Sequence, residues 1–429
     1  MAKTLGGTAD DIPYRVIQTS DGGYAIAGWT ESSNGDVTGY QGNKDCWVVK
    51  LNSTGGIVWQ KSLGGTSEEE FRYIIETADG GLACVGWSLS NDGDVSGLHG
   101  FRDTWLVKLS SGGVIQWQKM LGGLNDERGY TVVQTTDLGY MVSSVSSSTS
   151  GDVTANNGLL DYWIAKTDNL GNIQWQKNYG GSGIESNRGT IQTSDGGYLI
   201  NGYTESSNID ITNFQGVQDV WLVKTDNLGV IQWQKTFGGN ATDRSGFVTQ
   251  TADGGYLFSG NTNSTTGDVS FFQGGASDYW LVKISSTGTI EWEKTMGGTG
   301  GDFGGSVVLL NNGYLMMGST DSNNGDVTGN KGSSDLWMVK LLNSCAPGSV
   351  TATLSGDASI CSGGSTNLTI NFTGAAPWFY TVDGGPSQTT FTSPVTIPVS
   401  PVTNTTYNVT SVSDNVCPTE LLQGRQQFW

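Results

Sequence analysis

Two sets of aspartates recur at fixed places along this 429-residue sequence. In the first set the aspartate stands in Gly-Asp-Val, and nine or ten residues later an Asp-x-Trp pattern begins. A hard cation such as Ca²⁺ is bound by carboxylates and carbonyls on turn-rich loops, so the pattern suggests calcium, although the spacing does not match the EF-hand loop. The ligands would be Asp36, Asp94, Asp152, Asp268 and Asp326, with Asp45, Asp103, Asp161, Asp278 and Asp335 as second contributors.

These aspartates have a simpler alternative role. An Asp side chain often caps a turn by accepting hydrogen bonds from nearby backbone amides. A feature that is present in every repeat is more often structural than functional, so repetition favours the cap. In the fourth repeat the loop reads Ile209-Asp210-Ile211 instead of Gly-Asp-Val. The sequence leaves both roles open.

A third set of charged residues lies at the start of another strand pattern and carries both signs. Arginines gathered there could clasp a carboxylate or sulfate bidentately. Ion pairs between neighbouring repeats are the alternative, and the sixth repeat has no arginine at this place (Gly301 to Gly304). The candidate ligand-binding residues are Arg15, Glu70, Arg72, Asp126, Arg128, Glu185, Arg188, Asp243 and Arg244.

Residues that most enzymes need are scarce in this chain. It has one histidine, His99, and five cysteines, and it has no phosphate-binding glycine loop. We therefore expect no enzymatic activity and no required cofactor, with Ca²⁺ as the one candidate ion. The main rival is a sialidase- or glycosidase-like enzyme, which needs two carboxyl groups about 5 to 10 Å apart beside a deep pocket.

The overall charge limits the partners. A net charge of −19 argues against nucleic acid and anionic membranes, because both are negative. No apolar run reaches the length of about 18 residues that a membrane span needs. The first residues, Met1-Ala2-Lys3-Thr4, carry no secretory signal and lead directly into repeat sequence.

The elements that position these residues are themselves repeated. The stretch Asp45 to Leu51 has counterparts whose aspartates follow at steps of 58, 58, 58, 59 and 57 residues, which predicts a repeat architecture. Each unit shows two strands joined by a glycine-rich hairpin turn, a long loop, a third strand that is apolar on both faces, and a fourth strand that is more exposed to solvent. The unit is a four-stranded antiparallel sheet, and such sheets stacked around an axis form a β-propeller.

Six Gly-Gly units predict an all-β, six-bladed propeller over residues 1–343. The first strand of a blade is normally innermost, so the mixed-charge residues should lie at the mouth of a central channel. The sixth unit lacks a fourth strand, and we expect Lys3-Thr4-Leu5 to close the ring alongside Trp337 to Leu341. The short turns should lie on one face and the Gly-Asp-Val loops on the other, which is the predicted functional face.

The last part of the chain follows a different pattern. Residues 344–349 have the composition of a linker. Short Thr- and Val-rich runs over 350–429 predict a small immunoglobulin-like β-sandwich, which we expect to be truncated at its C-terminal end. Cys361 and Cys417 flank its body, and we predict a disulfide between them because a small sandwich gains most from such a bond.

With these residues in view, the sequence resembles secreted, multi-domain surface proteins of the Bacteroidetes. The likeness covers about residues 3–343, and the tail resembles the Ig- or PKD-like modules that follow such repeats. It is carried by Gly93 to Gly97, Asp103 to Leu109, Ile115 to Lys119 and Gln192 to Tyr198. The resemblance implies export, frequently by type IX secretion, and an adhesive role without established chemistry. The C-terminal sorting domain of that family is not recognisable here.

Together these features predict an extracellular or cell-surface binding module that engages a glycan or another surface polymer, with calcium as a candidate helper. Its other partners would be the further domains of a larger surface protein, and we expect neither nucleic acid nor membrane insertion. A glycan-cleaving enzyme and a purely structural spacer are the alternatives.

Overall fold

The computed structural model describes residues 3–310, 313–342, 350–356, 364–374, 376–383, 385–403, 405–413, 420–421 and 426–427. Every regular element among them is a β-strand. Within these residues no helix is long and apolar enough to cross a membrane. The chain divides into two compact units, one of residues 1–306 and 318–336, the other of residues 307–317 and 337–429.

Five antiparallel sheets of four strands follow one another, and within each sheet the strands are ordered as in the chain. The first has β1 (Asp11–Gln18), β2 (Tyr24–Thr30), β3 (Asp45–Leu51) and β4 (Ile57–Leu63). The second has β5 (Glu69–Glu76), β6 (Leu82–Ser88), β7 (Asp103–Leu109) and β8 (Ile115–Leu121). The third has β9 (Glu127–Gln134), β10 (Tyr140–Ser146), β11 (Asp161–Thr167) and β12 (Ile173–Tyr179). The fourth has β13 (Glu185–Gln192), β14 (Tyr198–Thr204), β15 (Asp219–Thr225) and β16 (Ile231–Phe237). The fifth has β17 (Asp243–Gln250), β18 (Tyr256–Thr262), β19 (Asp278–Ile284) and β20 (Ile290–Met296).

A sixth sheet contains three strands, β21 (Asp302–Leu310), β22 (Gly313–Thr320) and β23 (Asp335–Leu342). Lys3, Thr4 and Leu5 lie outside any strand, and their predicted pairing with Trp337 to Leu341 stays a prediction. Leu5 nevertheless packs against Val37, Trp47 and Val49 of the first sheet.

The third strands form the core between successive sheets, as their two apolar faces predicted. Trp105, Trp163, Trp221 and Trp280 are fully buried. Cys46 and Val48 of the first sheet share one cluster with Ile74 and Trp105 of the second. The second, third and fourth sheets are therefore covered on both faces, as the stacked blades of a propeller require.

The register places the loops as the sequence predicted. At one end of the first sheet Asp11 faces Thr30 and Thr30 faces Asp45, so the long loop and the link between sheets lie together. At the other end Tyr24 faces Leu51, and both short hairpin turns lie there. We call these the loop end and the short-turn end. The first strands β1, β5, β9, β13 and β17 lie side by side in that order, and we call them the strand-one row.

The described residues of the tail form nine strands. They are β24 (Ala352–Ser355), β25 (Thr366–Phe372), β26 (Trp378–Val382), β27 (Gln388–Thr390), β28 (Val395–Val399), β29 (Thr406–Tyr407), β30 (Val409–Ser413), β31 (Glu420–Leu421) and β32 (Gln426–Gln427). Sheets β24-β25-β28 and β27-β26-β30-β31 share one apolar core, in which Phe372 stacks on Trp378 at 5.5 Å between ring centroids. Two sheets with a common core agree with a sandwich, and the immunoglobulin-like assignment stays a prediction. Cys361, Cys417 and the linker 344–349 lie outside the described residues, so the disulfide also stays a prediction.

Candidate functional site

The Gly-Asp-Val aspartates form hydrogen bonds to the glycine that precedes their own sheet. The backbone N of Asp94 donates to the carbonyl of Gly64 at 2.8 Å, and the N of Gly64 lies 3.3 Å from Asp94 Oδ2. Gly64 begins the Gly-Gly pair that follows the preceding fourth strand, so the aspartate does not simply cap its own turn. Equivalent contacts join Asp36 to Gly6, Asp152 to Gly122, Asp210 to Gly180, Asp268 to Gly238 and Asp326 to Gly297.

The strand-three aspartates begin each third strand, and all of them except Asp335 are buried. Asp219 Oδ2 accepts a hydrogen bond from the N of Gln215 at 2.8 Å, which closes the end of the long loop. Its other oxygen, Oδ1, has no hydrogen-bond partner. The same loop closure is made by Asp45, Asp103, Asp161, Asp278 and Asp335, and an unpartnered Oδ1 is also found at Asp103, Asp161 and Asp278.

The predicted grouping of a loop aspartate with the strand-three aspartate of its own unit is wrong. Asp36 contacts Gly6 before its sheet, whereas Asp45 lies against Gly64 after it. The two carboxylates stand at opposite faces of one sheet, because the loop folds back while the strand runs forward. The structure instead brings together acids of successive units.

We call each such meeting point an acid junction. It consists of the first glycine of a Gly-Gly pair, the strand-three Asp before it, the strand-one acid after it and the Gly-Asp-Val-type Asp of the next loop. The five complete sets are Gly64 with Asp45, Glu69 and Asp94; Gly122 with Asp103, Glu127 and Asp152; Gly180 with Asp161, Glu185 and Asp210; Gly238 with Asp219, Asp243 and Asp268; and Gly297 with Asp278, Asp302 and Asp326.

The strand-one acids are fully satisfied at these junctions. Glu185 accepts from the N of Gly181 at 2.7 Å and from Thr204 Oγ1 at 2.7 Å. Asp243 accepts from the N of Gly239 and from Ser264 Oγ in the same way. Both acids are completely buried. Their assignment to an exposed ligand site at the channel mouth is therefore wrong, because no solvent reaches them.

Burial dominates the electrostatics of the junctions. Burial, with a smaller contribution from the neighbouring acids, raises the pKa of Asp161 and Asp278 to about 6 and that of Asp219 to about 7. Burial also raises the pKa of Asp45, Asp103 and the strand-one acids Glu69, Glu127, Glu185 and Asp243. Among the described residues the one basic partner of these acids is His99, whose Nδ1 lies 2.8 Å from Asp103 Oδ2.

No group of three or more His, Cys, Asp or Glu side chains within the described ranges is placed so that it could hold a metal ion. Calcium binding by the aspartates therefore stays a prediction.

The arginines at the loop end of the strand-one row make two kinds of contact. Arg72 pairs with Glu70 at 2.7 Å and Arg128 with Asp126 at 2.5 Å, both within one unit. The pairs that cross between units use other basic residues: Lys44 contacts Glu70 at 3.2 Å, and Arg102 contacts Asp126 at 3.5 Å. The predicted ion pairs thus exist, partly within units and partly between them.

Stacking on tyrosines is the second kind of contact and crosses between units. Arg15 lies 4.0 Å from the ring centroid of Tyr73, and Arg72 lies 4.2 Å from that of Tyr14. Arg188 covers Tyr130 at 5.2 Å, and Arg244 covers Tyr203 at 5.1 Å. Arg15, Arg188 and Arg244 form no ion pair with any described acid.

A cavity of about 690 Å³ opens at the other end of the strand-one row. Ile75, Val133 and Ile191 supply apolar walls, and Glu76 is the one acid among the described residues that line it. Glu76 accepts hydrogen bonds from the N and Oγ of Ser20. The pair of carboxyls that a glycosidase needs is therefore not found in this lining.

A set of buried lysines was missed from the sequence. Lys166 Nζ on the third strand of its sheet lies 2.8 Å from Asp137 in the short hairpin turn, and the lysine side chain is 5% exposed. The same pair is Lys50 with Asp21, Lys108 with Asp79, Lys224 with Asp195 and Lys283 with Asp253. A lysine at a fixed place in an otherwise apolar strand was the signal that could have revealed it.

The chain has few recognisable relatives. No family model matches it, and no curated protein matches it. A prolyl oligopeptidase B from Galerina marginata is 9% identical, with 84% of this chain and 46% of that chain covered and a TM-score of 0.36. A puromycin hydrolase is 9% identical over 84% of this chain and 50% of that chain, with a TM-score of 0.41. A GH43_12 protein retrieved from capybara gut metagenome is 11% identical over 99% and 80%, with a TM-score of 0.30.

The chain spans about half the length of the first two of these proteins. At such identities and TM-scores, the three likenesses carry no argument about the fold or activity of this chain.

Proposed function

We propose that the chain is a secreted or cell-surface binding module whose ligand is a glycan or another surface polymer bearing carboxylate or sulfate groups. The observation that carries this proposal is the set of stacked guanidinium groups on the strand-one row. Arg188 and Arg244 are exposed and form no ion pair with a described acid, although Arg244 Nε donates a hydrogen bond to Gln218 Oε1. A charged group that is held in place at a surface without an acid partner can bind an anion.

Stacking explains why these arginines are suited to recognition. A guanidinium that lies flat on an aromatic ring keeps its N–H edge free, and the ring restricts its motion. Its planar edge matches the two oxygens of a carboxylate or sulfate. Arg72 and Arg128 are already paired with Glu70 and Asp126, so Arg15, Arg188 and Arg244 are the proposed contact residues.

Repetition of the unit supports a polymer as the ligand. Arg15, Arg188 and Arg244 belong to the first, fourth and fifth units, and several weak contacts on one polymer add up through effective concentration. The net charge of −19 disfavours anions elsewhere on the surface, so binding should depend on these arginines.

A glycan array, probed with Ca²⁺ and again with chelator, tests the proposal. Binding of a hit is then measured by calorimetry for the parent and for the double variant Arg188→Gln, Arg244→Gln. We expect the double variant to bind at least about tenfold more weakly, because charged hydrogen bonds contribute about 1.5–3 kcal/mol each. Lys177→Gln, at an exposed position on β12, is the matched control and should bind like the parent. No array signal, or equal binding by the double variant, would leave the structural spacer as the better interpretation.

We also propose that the six sheets close into a six-bladed propeller. Ile74 of the second sheet packs with Cys46 and Val48 of the first. One period away, Val16 is 61% exposed, and the counterparts of Cys46 and Val48 in the sixth sheet, Leu336 and Met338, are 75% and 60% exposed. The outer faces of the first and sixth sheets thus carry the counterparts of the residues that pack against each other between neighbouring inner sheets.

The acids point to the same closure. Gly6 has Asp11 and Asp36 around it but no strand-three aspartate among its nearest atoms. Asp335 is the one strand-three aspartate that is followed by the tail and not by the Gly-Gly pair of another repeat unit. Val16→Asp tests closure: we expect a loss of several kcal/mol of unfolding free energy if the face is covered. Val58→Asp, at a position 58% exposed on β4, is the control, and equal small effects of both would argue against closure.

A further inference from the structure

The acid junctions bury negative charge without a compensating side chain. At Gly238, Asp219 and Asp243 are fully buried, and no Lys or Arg among the described residues pairs with either. Burying an ionised carboxylate without a partner is costly, so such a group takes up a proton or a cation. This arrangement occurs five times in the described chain.

At four of the junctions, one carboxylate oxygen of the strand-three aspartate has no hydrogen-bond partner. Asp219 Oδ1 accepts no hydrogen bond although Oδ2 is bonded. Buried polar atoms in folded proteins nearly always have a partner, so an orphan that recurs with the repeat suggests a missing ligand. The other three are Asp103 Oδ1, Asp161 Oδ1 and Asp278 Oδ1.

The oxygen without a partner and an oxygen of the second carboxylate both lie close to the glycine of the junction. A Cβ at Gly238 would lie 2.9 Å from Asp219 Oδ1 and 2.5 Å from Asp243 Oδ2. A Cβ at Gly122 would lie 2.7 Å from Asp103 Oδ1 and 2.7 Å from Glu127 Oε2. Only a residue without a side chain fits between these two carboxylates, which belong to successive units.

We propose that the acid junctions are divalent-cation sites of the calcium type, each bridging the strand-three Asp of one unit and the strand-one acid of the next. Oxygen ligands from carboxylates and carbonyls, with neither Cys nor His among the three acids, fit Ca²⁺ rather than Zn²⁺. The third acid is available too, since Asp268 is held only by a 3.1 Å contact from Gly238 N and a 3.5 Å contact from Gln215. In the ion-bound form this carboxylate turns from the amide toward the cation.

The grouping has a consequence for the whole module. Each ion would join two sheets at the loop end, so it would stabilise the stack and not only a loop. The junction at Gly122 differs, because His99 already contacts Asp103, and we expect this junction to bind the ion most weakly. The inference concerns the junctions alone and does not depend on the proposed glycan ligand.

Calcium titration into the chelator-treated full chain tests the inference. The five complete junctions predict calorimetric binding of about five ions, or about six if the ring closes through Asp335. Melting temperature should rise at millimolar Ca²⁺ because the ion binds only the folded state. The variant Asp219→Asn should bind about one ion fewer and show a smaller rise.

Asp226→Asn is the matched control, since Asp226 sits in a short turn of the same sheet and accepts from the N atoms of Leu228 and Val230. It should keep the parent stoichiometry. No heat together with no thermal shift overturns the inference and assigns a proton to each junction, and so does calcium binding that Asp219→Asn leaves unchanged. Glycan binding is measured separately with the arginine variants, so failure of either proposal is recognised independently.

Discussion

Aspartates at the two ends of each sheet lie in opposite electrostatic environments. At the short-turn end of the third sheet, Asp137 is half-exposed and bonded to the buried Lys166. At the loop end of that sheet, Asp161 is fully buried and has no basic partner among the described residues. Burial alone would raise the pKa of Asp137, but hydrogen bonds from Lys166 and Thr135 outweigh it and lower the pKa to about 2. Burial raises the pKa of Asp161 to about 6.

This difference shows that repetition of a residue does not define its chemistry. Every complete sheet sends its third-strand lysine to the short-turn end, where the turn aspartate neutralises it. The basic residues of the loop end, Lys44 among them, contact Glu70 and Asp126 and not the acids of the junctions. The turn aspartates are therefore neutralised within the chain, whereas the junction acids need positive charge from outside it, as a proton or as an ion.

Filling the space at a loop-end glycine should give the largest effect. In Gly122→Ala the new methyl group would lie 2.7 Å from both Asp103 Oδ1 and Glu127 Oε2, which are too deeply buried to move freely. We expect the unfolding free energy to fall by about 1–3 kcal/mol, as for other overpacked interiors. The measurement is the urea midpoint of parent and variant in chelator.

The matched control is Gly112→Ala in the short turn of the same sheet. Its nearest non-neighbouring atom would be Ser110 Oγ at 3.8 Å, so we expect a change within about 0.5 kcal/mol. If Gly122→Ala were equally harmless, the two carboxylates would not be fixed around the glycine, and the contrast between the ends would weaken.

Much of the fold could be predicted from the sequence, because the repeat period and the alternation of residues act locally. The third strand Asp45–Leu51, its buried tryptophan and the placement of loops at one end all follow from these patterns. The first strand begins at Asp11, because the strand-one acid already takes part in the ladder with Thr30. Ring closure and the module type of the tail stay predictions.

The candidate sites were harder to predict, because partners in space come from different units. Asp36 and Asp45 are neighbours in the sequence but belong to different junctions. The arginine–tyrosine stacks carried a usable signal: Arg15 and Tyr73 are one 58-residue period apart, and residues one period apart on the strand-one row are neighbours. No such rule reveals that an oxygen will lack a partner.

Removing a buried lysine should have the next largest effect. Lys166 Nζ donates to Asp137 Oδ2 at 2.8 Å, to the carbonyl of Thr167 at 2.8 Å and to Gln174 Oε1 at 3.0 Å. In Lys166→Met these acceptors lose a charged donor, and we expect a loss of about 1–3 kcal/mol. Lys177→Met, at an exposed position on the next strand, should change stability by less than about 0.5 kcal/mol. Equal stability of the two variants would mean that the short-turn end does not depend on its lysines.

The smallest expected effect is the loss of stability at low pH. The pKa of Asp137 is lowered from 3.8 to about 2. The pair with Lys166 therefore stabilises the fold fully when the pH lies above 3.8, and this stabilisation is lost as the pH falls through about 2. Asp137 is 56% exposed, so the screened contribution is about 0.5–1 kcal/mol. Asp137→Asn should therefore lower stability at pH 7 by this amount and match the parent near pH 2. In the Lys166→Met background the same substitution should have no pH-dependent effect, since the partner is gone. A difference that persists in that background would assign the acid sensitivity to the turn, where Asp137 also accepts from Thr135 and from the N of Gly139, and not to the lysine pair.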